Sequence, residues 1–109
     1  LESILIDWQS EVPDPGLVDF IPGFQENRKK EIALVKNFLK EKDFEALRKL
    51  AHNWKGFSRP YGYQTLEALG RALEKAAQNQ DLDTCENLFS QFLHYINEKE
   101  VRLKSEGLL

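Results

Sequence analysis

Cys85 is the only cysteine in the chain, so no internal disulfide can form and a reducing, cytoplasmic compartment is the expected setting. Its place in a helix-patterned segment makes Cys85 a small core residue. No apolar run approaches the roughly 20 residues that a membrane span requires, and no basic-apolar-small signal opens the chain. The phosphate-cradling patterns GxxxxGK[ST] and GxGxxG are both absent, which leaves no visible means of holding ATP. Two histidines, His52 and His94, and the one cysteine share no short repeated spacing, so neither a zinc site nor any other cofactor is expected. No strand-length alternation interrupts residues 17–104, and there are no internal repeats and no low-complexity tract.

What remains is the composition of one globular domain. The 109 residues are 41% hydrophobic and 30% charged, enough to bury a single core. The net charge of −3 argues against non-specific nucleic-acid binding. That charge is spread unevenly. No acidic residue lies between Glu45 and Glu67, where Arg48, Lys49, Lys55 and Arg59 all fall. An acidic domain with one basic window has a place for an anion or an acidic partner.

Hydrophobic spacing divides the chain into a lead-in (residues 1–16), a helical bundle (17–104) and a short tail (105–109). Leu1, Ile4, Leu5, Ile6 and Trp8 are apolar enough to pack against the bundle before Pro13, Pro15 and Gly16 break the chain. Leu17, Val18, Phe20 and Ile21 predict a short helix ended or re-aimed at Pro22-Gly23. Phe24, Ile32, Val35, Phe38 and Leu39 then recur at helical spacing to Lys40. Asp43 is placed to cap a helix with the stripe Phe44, Leu47, Leu50, Ala51, Trp54 and Ser58. A third helix starts near Tyr63 or Gln64. A fourth starts near Leu82 or Asp83 and grows polar through Glu98, Lys99 and Glu100, fraying before Gly107. Short connections make successive helices antiparallel neighbours, so the expected fold is all-α: an antiparallel up-down four-helix bundle with an extended N-terminal lead-in. Phe24, Phe38, Phe44, Phe89 and Phe92 read as core, not as a base-stacking platform.

The chemistry gathers around His52. The stripe through Leu47, Leu50, Ala51 and Trp54 leaves His52 at its solvent margin, with Arg48 one turn back, Lys55 and Gly56 one turn on and Arg59 two turns on. Taken singly, each is ordinary: a surface histidine, solvated charges, a glycine near a helix end. Together they form a basic stripe with a notch, whose mutual repulsion costs stability unless an anion comes there. Neutral imidazole can attack phosphorus without a separate base. A nearby ammonium can then stabilise the phosphorylated product, and Lys55 is best placed for it, with Arg48 and Arg59 as outer support. Gly56 costs a helix interior about 1 kcal/mol relative to alanine, which makes sense if the space above it must stay open to a partner. His94, in Phe92-Leu93-His94-Tyr95-Ile96, has no basic neighbour one turn away and serves as the contrast.

Residues 51–66, read as A-H-x-x-K-G-x-S-x-x-x-G-x-x-x-L, resemble the signature of histidine-containing phosphotransfer (HPt) domains of bacterial phosphorelays. The likeness extends over residues 17–97, including the Asp43-Phe44 start and the run Leu69-Gly70-Arg71-Ala72-Leu73-Glu74. It implies that His52 is the phosphorylated residue, Lys55 the phosphate-stabilising lysine, Gly56 the docking notch and Gly62 the glycine of the following turn. It also implies receiver domains of hybrid histidine kinases and of response regulators as partners, with magnesium belonging to the receiver. Phe57 stands where the family pattern carries a small residue, near the docking surface or turned into the core; Arg59 adds a charge and Pro60 a stiff turn beside it. The expectation is a monomeric phosphoryl carrier, not an ATP-using enzyme. Its receiver-docking face would use Arg48, Gly56, Phe57 and Arg59. The reading from another class is a helical interaction module that docks a protein without chemistry.

Overall fold

The computed structural model describes residues 3–109; Leu1, counted above in the apolar lead-in, lies outside them. Among the described residues there are four α-helices and no strand: α1 (Ile21–Glu41), α2 (Phe44–Phe57), α3 (Gln64–Gln78) and α4 (Leu82–Ser105). The helix starts follow local chemistry. Asp43 accepts a hydrogen bond from the Ala46 amide at 3.1 Å, and Asp81 accepts from the Thr84 amide at 3.2 Å, each satisfying an N–H that the helix leaves open. Pro22 neither ends nor re-aims a helix. A 3₁₀ turn over Pro15–Phe20 runs straight into α1, and Pro22 occupies the first helical turn, where its missing N–H costs nothing.

Contacts between neighbouring helices run in opposite numerical order. On α1 and α2, Arg28 lies over the Phe57 ring while Glu31 accepts from Trp54 Nε1 at 2.9 Å. Across α2 and α3, Arg59 in the turn just after α2 meets Glu67, while His52 and Lys55 of α2 meet Glu74. On α3 and α4, Thr65 shares a cavity wall with Tyr95, and Ala76 shares one with Thr84. The helices therefore alternate up and down. Trp54 stacks on Phe92 at 4.4 Å between ring centroids, and with Leu47, Leu66, Leu69 and Ile96 it forms the centre of the core. Phe24 is also buried, whereas Phe38, Phe44 and Phe89 pack from its margin.

The closest approach is at Gly70. A Cβ there would sit 2.7 Å from both the Ala51 carbonyl oxygen and the Lys55 amide nitrogen, so α3 touches the backbone of α2 at the turn that carries His52. Only glycine permits that contact, and it brings the next turn of α3, with Glu74, beneath the His52–Lys55 edge.

Two expectations about the ends are corrected. The C-terminal part of α4 is not a frayed polar end: Lys99 and Leu103 are buried and the helix is regular to Ser105. Nor is the lead-in merely extended. Ile4, Ile6 and Trp8 pack on the core, and 3₁₀ turns form at Trp8–Ser10 and Pro15–Phe20. Lys99 and the lead-in explain each other. Glu11 accepts from Lys99 Nζ at 3.0 Å, from the Thr65 amide at 2.7 Å and from the Tyr95 hydroxyl, while Lys99 also donates to the Gly62 carbonyl at 2.7 Å. The lead-in crosses the α2–α3 turn here. Gly62, at φ +83°, leaves no room for a side chain against Pro13, and the Asp14 amide donates to the Pro60 carbonyl at 2.8 Å.

Candidate functional site

His52 projects from the exposed edge of α2, one position beyond buried Ala51, and its side chain is 61% exposed. Its Nδ1 lies 2.7 Å from Glu74 Oε2 on α3. A carboxylate can only accept, so Nδ1 carries the proton. In the neutral ring the lone pair is then on Nε2, which has no partner among the described residues. The orientation of the ring and the identity of its free nitrogen are thus set by one contact from the neighbouring helix.

The same carboxylate holds Lys55, whose Nζ donates to Glu74 Oε1 at 2.6 Å. The Lys55 hydrogen bond, seconded by that of His52, holds the Glu74 carboxyl below the ordinary carboxylate value. Ammonium and imidazole therefore stand on one edge, bridged from below by a largely covered anion, with the imidazole outermost.

The basic stripe read from the sequence is not an uncompensated one. Arg48 is held in a fork by Glu45 of its own helix, at 3.0 and 2.7 Å, and Arg59 by Glu67 of α3, at 3.0 and 2.9 Å. Arg71 also approaches Glu67, at 3.6 Å. These glutamates sit at the edges of the acid-free window or beyond it, and the packing of α3 on α2 folds Glu67 and Glu74 back onto it. The repulsion inferred along α2 is relieved within the domain.

Phe57 is turned towards α1. Its ring meets Phe24 edge-on at 5.6 Å, and the Arg28 guanidinium lies 4.7 Å from its centroid. It is half-buried there, between the two places the sequence allowed. Gly56 is exposed, and a Cβ added to it would meet nothing within 4 Å. His94 is exposed on α4, beside a cavity of about 290 Å³ under the lead-in and away from this edge. The structure thus brings His52 and Lys55 together, adds Glu74, and leaves Gly56 open one turn along. Glu74 was visible only as part of a family-like run. The clue to its place was Gly70, a glycine inside a helical pattern, which marks close backbone approach.

Among the described residues no group of three His, Cys, Asp or Glu side chains could hold a metal ion, and no helix is long and apolar enough to cross a membrane. The family model of the Hpt domain matches residues 20–101, a span that contains His52, Lys55, Gly56 and Glu74. The chain belongs to the Hpt domain family. Members are phosphocarrier modules of phosphorelays that interact with receiver domains, not ATP-using enzymes. Searches among curated proteins and among solved structures gave no match.

Proposed function

We propose that this domain is a relay intermediate in which His52 accepts a phosphoryl group from the aspartate of one receiver domain and passes it to another. The observation that carries the proposal is the exposed His52 ring with Nδ1 held by Glu74, which leaves Nε2 as the nucleophile. In the transfer, the Nε2 lone pair forms the N–P bond as the P–O bond to the receiver aspartate breaks, and the electron pair leaves on the aspartate oxygen. No base is needed, because the Nδ1 proton stays on the ring. Glu74 keeps the Nδ1 proton in place through the step, and Lys55, held on the same carboxylate, stands beside the ring to meet the charge of the phosphoryl group. Onward transfer is the reverse reaction on a second receiver. Alignment of the two proteins supplies most of the catalysis, as is general where phosphoryl transfer depends on positioning and charge stabilisation.

Gly56 supports the docking part of the proposal by elimination. Nothing inside the domain crowds its missing side chain, so the helix carries the cost of a glycine without an internal reason for it. A partner lying against that turn supplies the reason. Gly56→Ala is therefore expected to stabilise the isolated domain by up to about 1 kcal/mol while slowing transfer from a receiver. Chemical denaturation and a transfer time course, run on the same preparation, read the two effects. Arg48, Phe57 and Arg59 form the proposed rim of the docking face. We assign the domain to the cytoplasm and to a monomeric state, in which the His52 edge stays free.

The test is incubation with a receiver domain charged by acetyl phosphate. Acid-labile, alkali-stable label moving onto the domain supports the relay. Tight binding with no label would instead support a docking module without chemistry.

A further inference from the structure

We infer that Glu74 competes with the incoming phosphoryl group for Lys55, so that phosphorylated His52 is a short-lived, readily discharged species and not a store. The inference rests on His52 being the phosphorylated residue. Both Glu74 oxygens are engaged before any phosphoryl group arrives, Oε2 on His52 Nδ1 and Oε1 on Lys55 Nζ. The carboxylate cannot readily withdraw. Its side chain is only 12% exposed, and the backbone contact at Gly70, one turn away, fixes α3 against α2.

Phosphorylation puts a second anion on the far nitrogen of the same ring. Lys55 must then divide its charge between carboxylate and phosphoryl oxygens, or leave one for the other. Either course raises the free energy of the phosphorylated state relative to the free one, where the Lys55–Glu74 pair is intact. Glu74 also keeps the Nδ1 proton on the ring, so that a neutral imidazole departs when phosphorus moves on, a better leaving group than imidazolate. Both effects push the phosphoryl group outward. Glu74 is in these terms a positioning residue, since it acts through His52 and Lys55.

Glu74→Gln separates the two roles. The amide oxygen can still accept from Nδ1–H, but the amide no longer pairs with Lys55, which is freed for the phosphoryl group. The probe is potassium phosphoramidate, whose P–N bond breaks as Nε2 attacks and whose nitrogen leaves as ammonia after taking a proton from water. After removal of the donor, the lifetime of the His52 phosphoryl group is followed by phosphorus NMR at neutral pH, and the ring proton by nitrogen NMR. In Glu74→Gln the lifetime is expected to lengthen about tenfold, the rate equivalent of about 1.4 kcal/mol, the scale of one hydrogen bond to a charged group. The proton stays on Nδ1. Glu74→Ala is expected to lengthen it too, while losing the Nδ1 preference. In a Lys55→Ala background the Glu74→Gln effect should shrink to about threefold or less, because residues acting on each other are non-additive.

Label on His52 with a lifetime unchanged or shortened in both Glu74 variants overturns the inference and leaves the carrier reading standing. An undiminished Glu74→Gln effect without Lys55 also overturns it. Absence of label at His52 in the unaltered domain removes both.

Discussion

His52→Gln is expected to bring phosphoryl labelling of the domain down to background while leaving the fold intact. Glutamine is polar and of similar reach, and the residue it replaces is largely solvent-exposed, so the core built on Leu47, Ala51 and Trp54 is undisturbed. What disappears is the nucleophile, since an amide has no lone pair that competes for phosphorus at neutral pH. His94→Gln, on α4 and away from Lys55 and Glu74, should label like the unaltered domain. Label counted after alkaline treatment, with helical content checked by circular dichroism, separates loss of chemistry from loss of structure. Persistent label in His52→Gln, or its loss in His94→Gln, would show the acceptor to be misassigned.

Glu11→Ala has the largest expected effect on stability. The Glu11 and Lys99 side chains are 2% and 5% exposed, and removing the carboxylate strands a buried ammonium with the Gly62 carbonyl as its remaining hydrogen-bond acceptor. The Thr65 amide and the Tyr95 hydroxyl lose their acceptor as well. Burial already pushes the Lys99 pKa down, with Glu11 the main group pulling it back up, so the loss of Glu11 leaves only the weaker pull of Glu106 against the penalty. Breaking a buried pair from one side costs about 3–5 kcal/mol, a large part of the roughly 5–15 kcal/mol that holds a domain together. Urea unfolding at pH 7 measures it. Replacing both partners together, Glu11→Leu with Lys99→Met, should recover the part of the loss that comes from the stranded charge, while the Thr65 amide, the Tyr95 hydroxyl and the Gly62 carbonyl still lack their partners. A loss below about 1 kcal/mol for the single variant would mean that water reaches Lys99 and that the lead-in is not clamped as described.

The helices and the exposed place of His52 were legible in the sequence because both depend on neighbours in the chain. The capping Asp43, the stripe of α2 and the exposed position of His52 all follow from spacings of three and four residues. What the sequence hid depends on partners far along the chain. Glu11 and Lys99 are 88 residues apart, and in isolation each looks like a solvated charge. Lys55 and Arg59 looked unpaired because Glu74 and Glu67 reach them only through the α2–α3 register that Gly70 permits. Glu74, the residue that selects which ring nitrogen is free, was for that reason the main omission, and Phe57 could be directed towards α1 only once Phe24 and Arg28 were in place.

Nitrogen-15 NMR of the phosphorylated domain, with His52 labelled, gives the most direct reading of this site. Phosphorus coupling at Nε2, with the proton retained on Nδ1 against Glu74, is the expected spectrum. Phosphorus on Nδ1, or on a residue other than His52, would contradict the geometry from which the relay function is drawn.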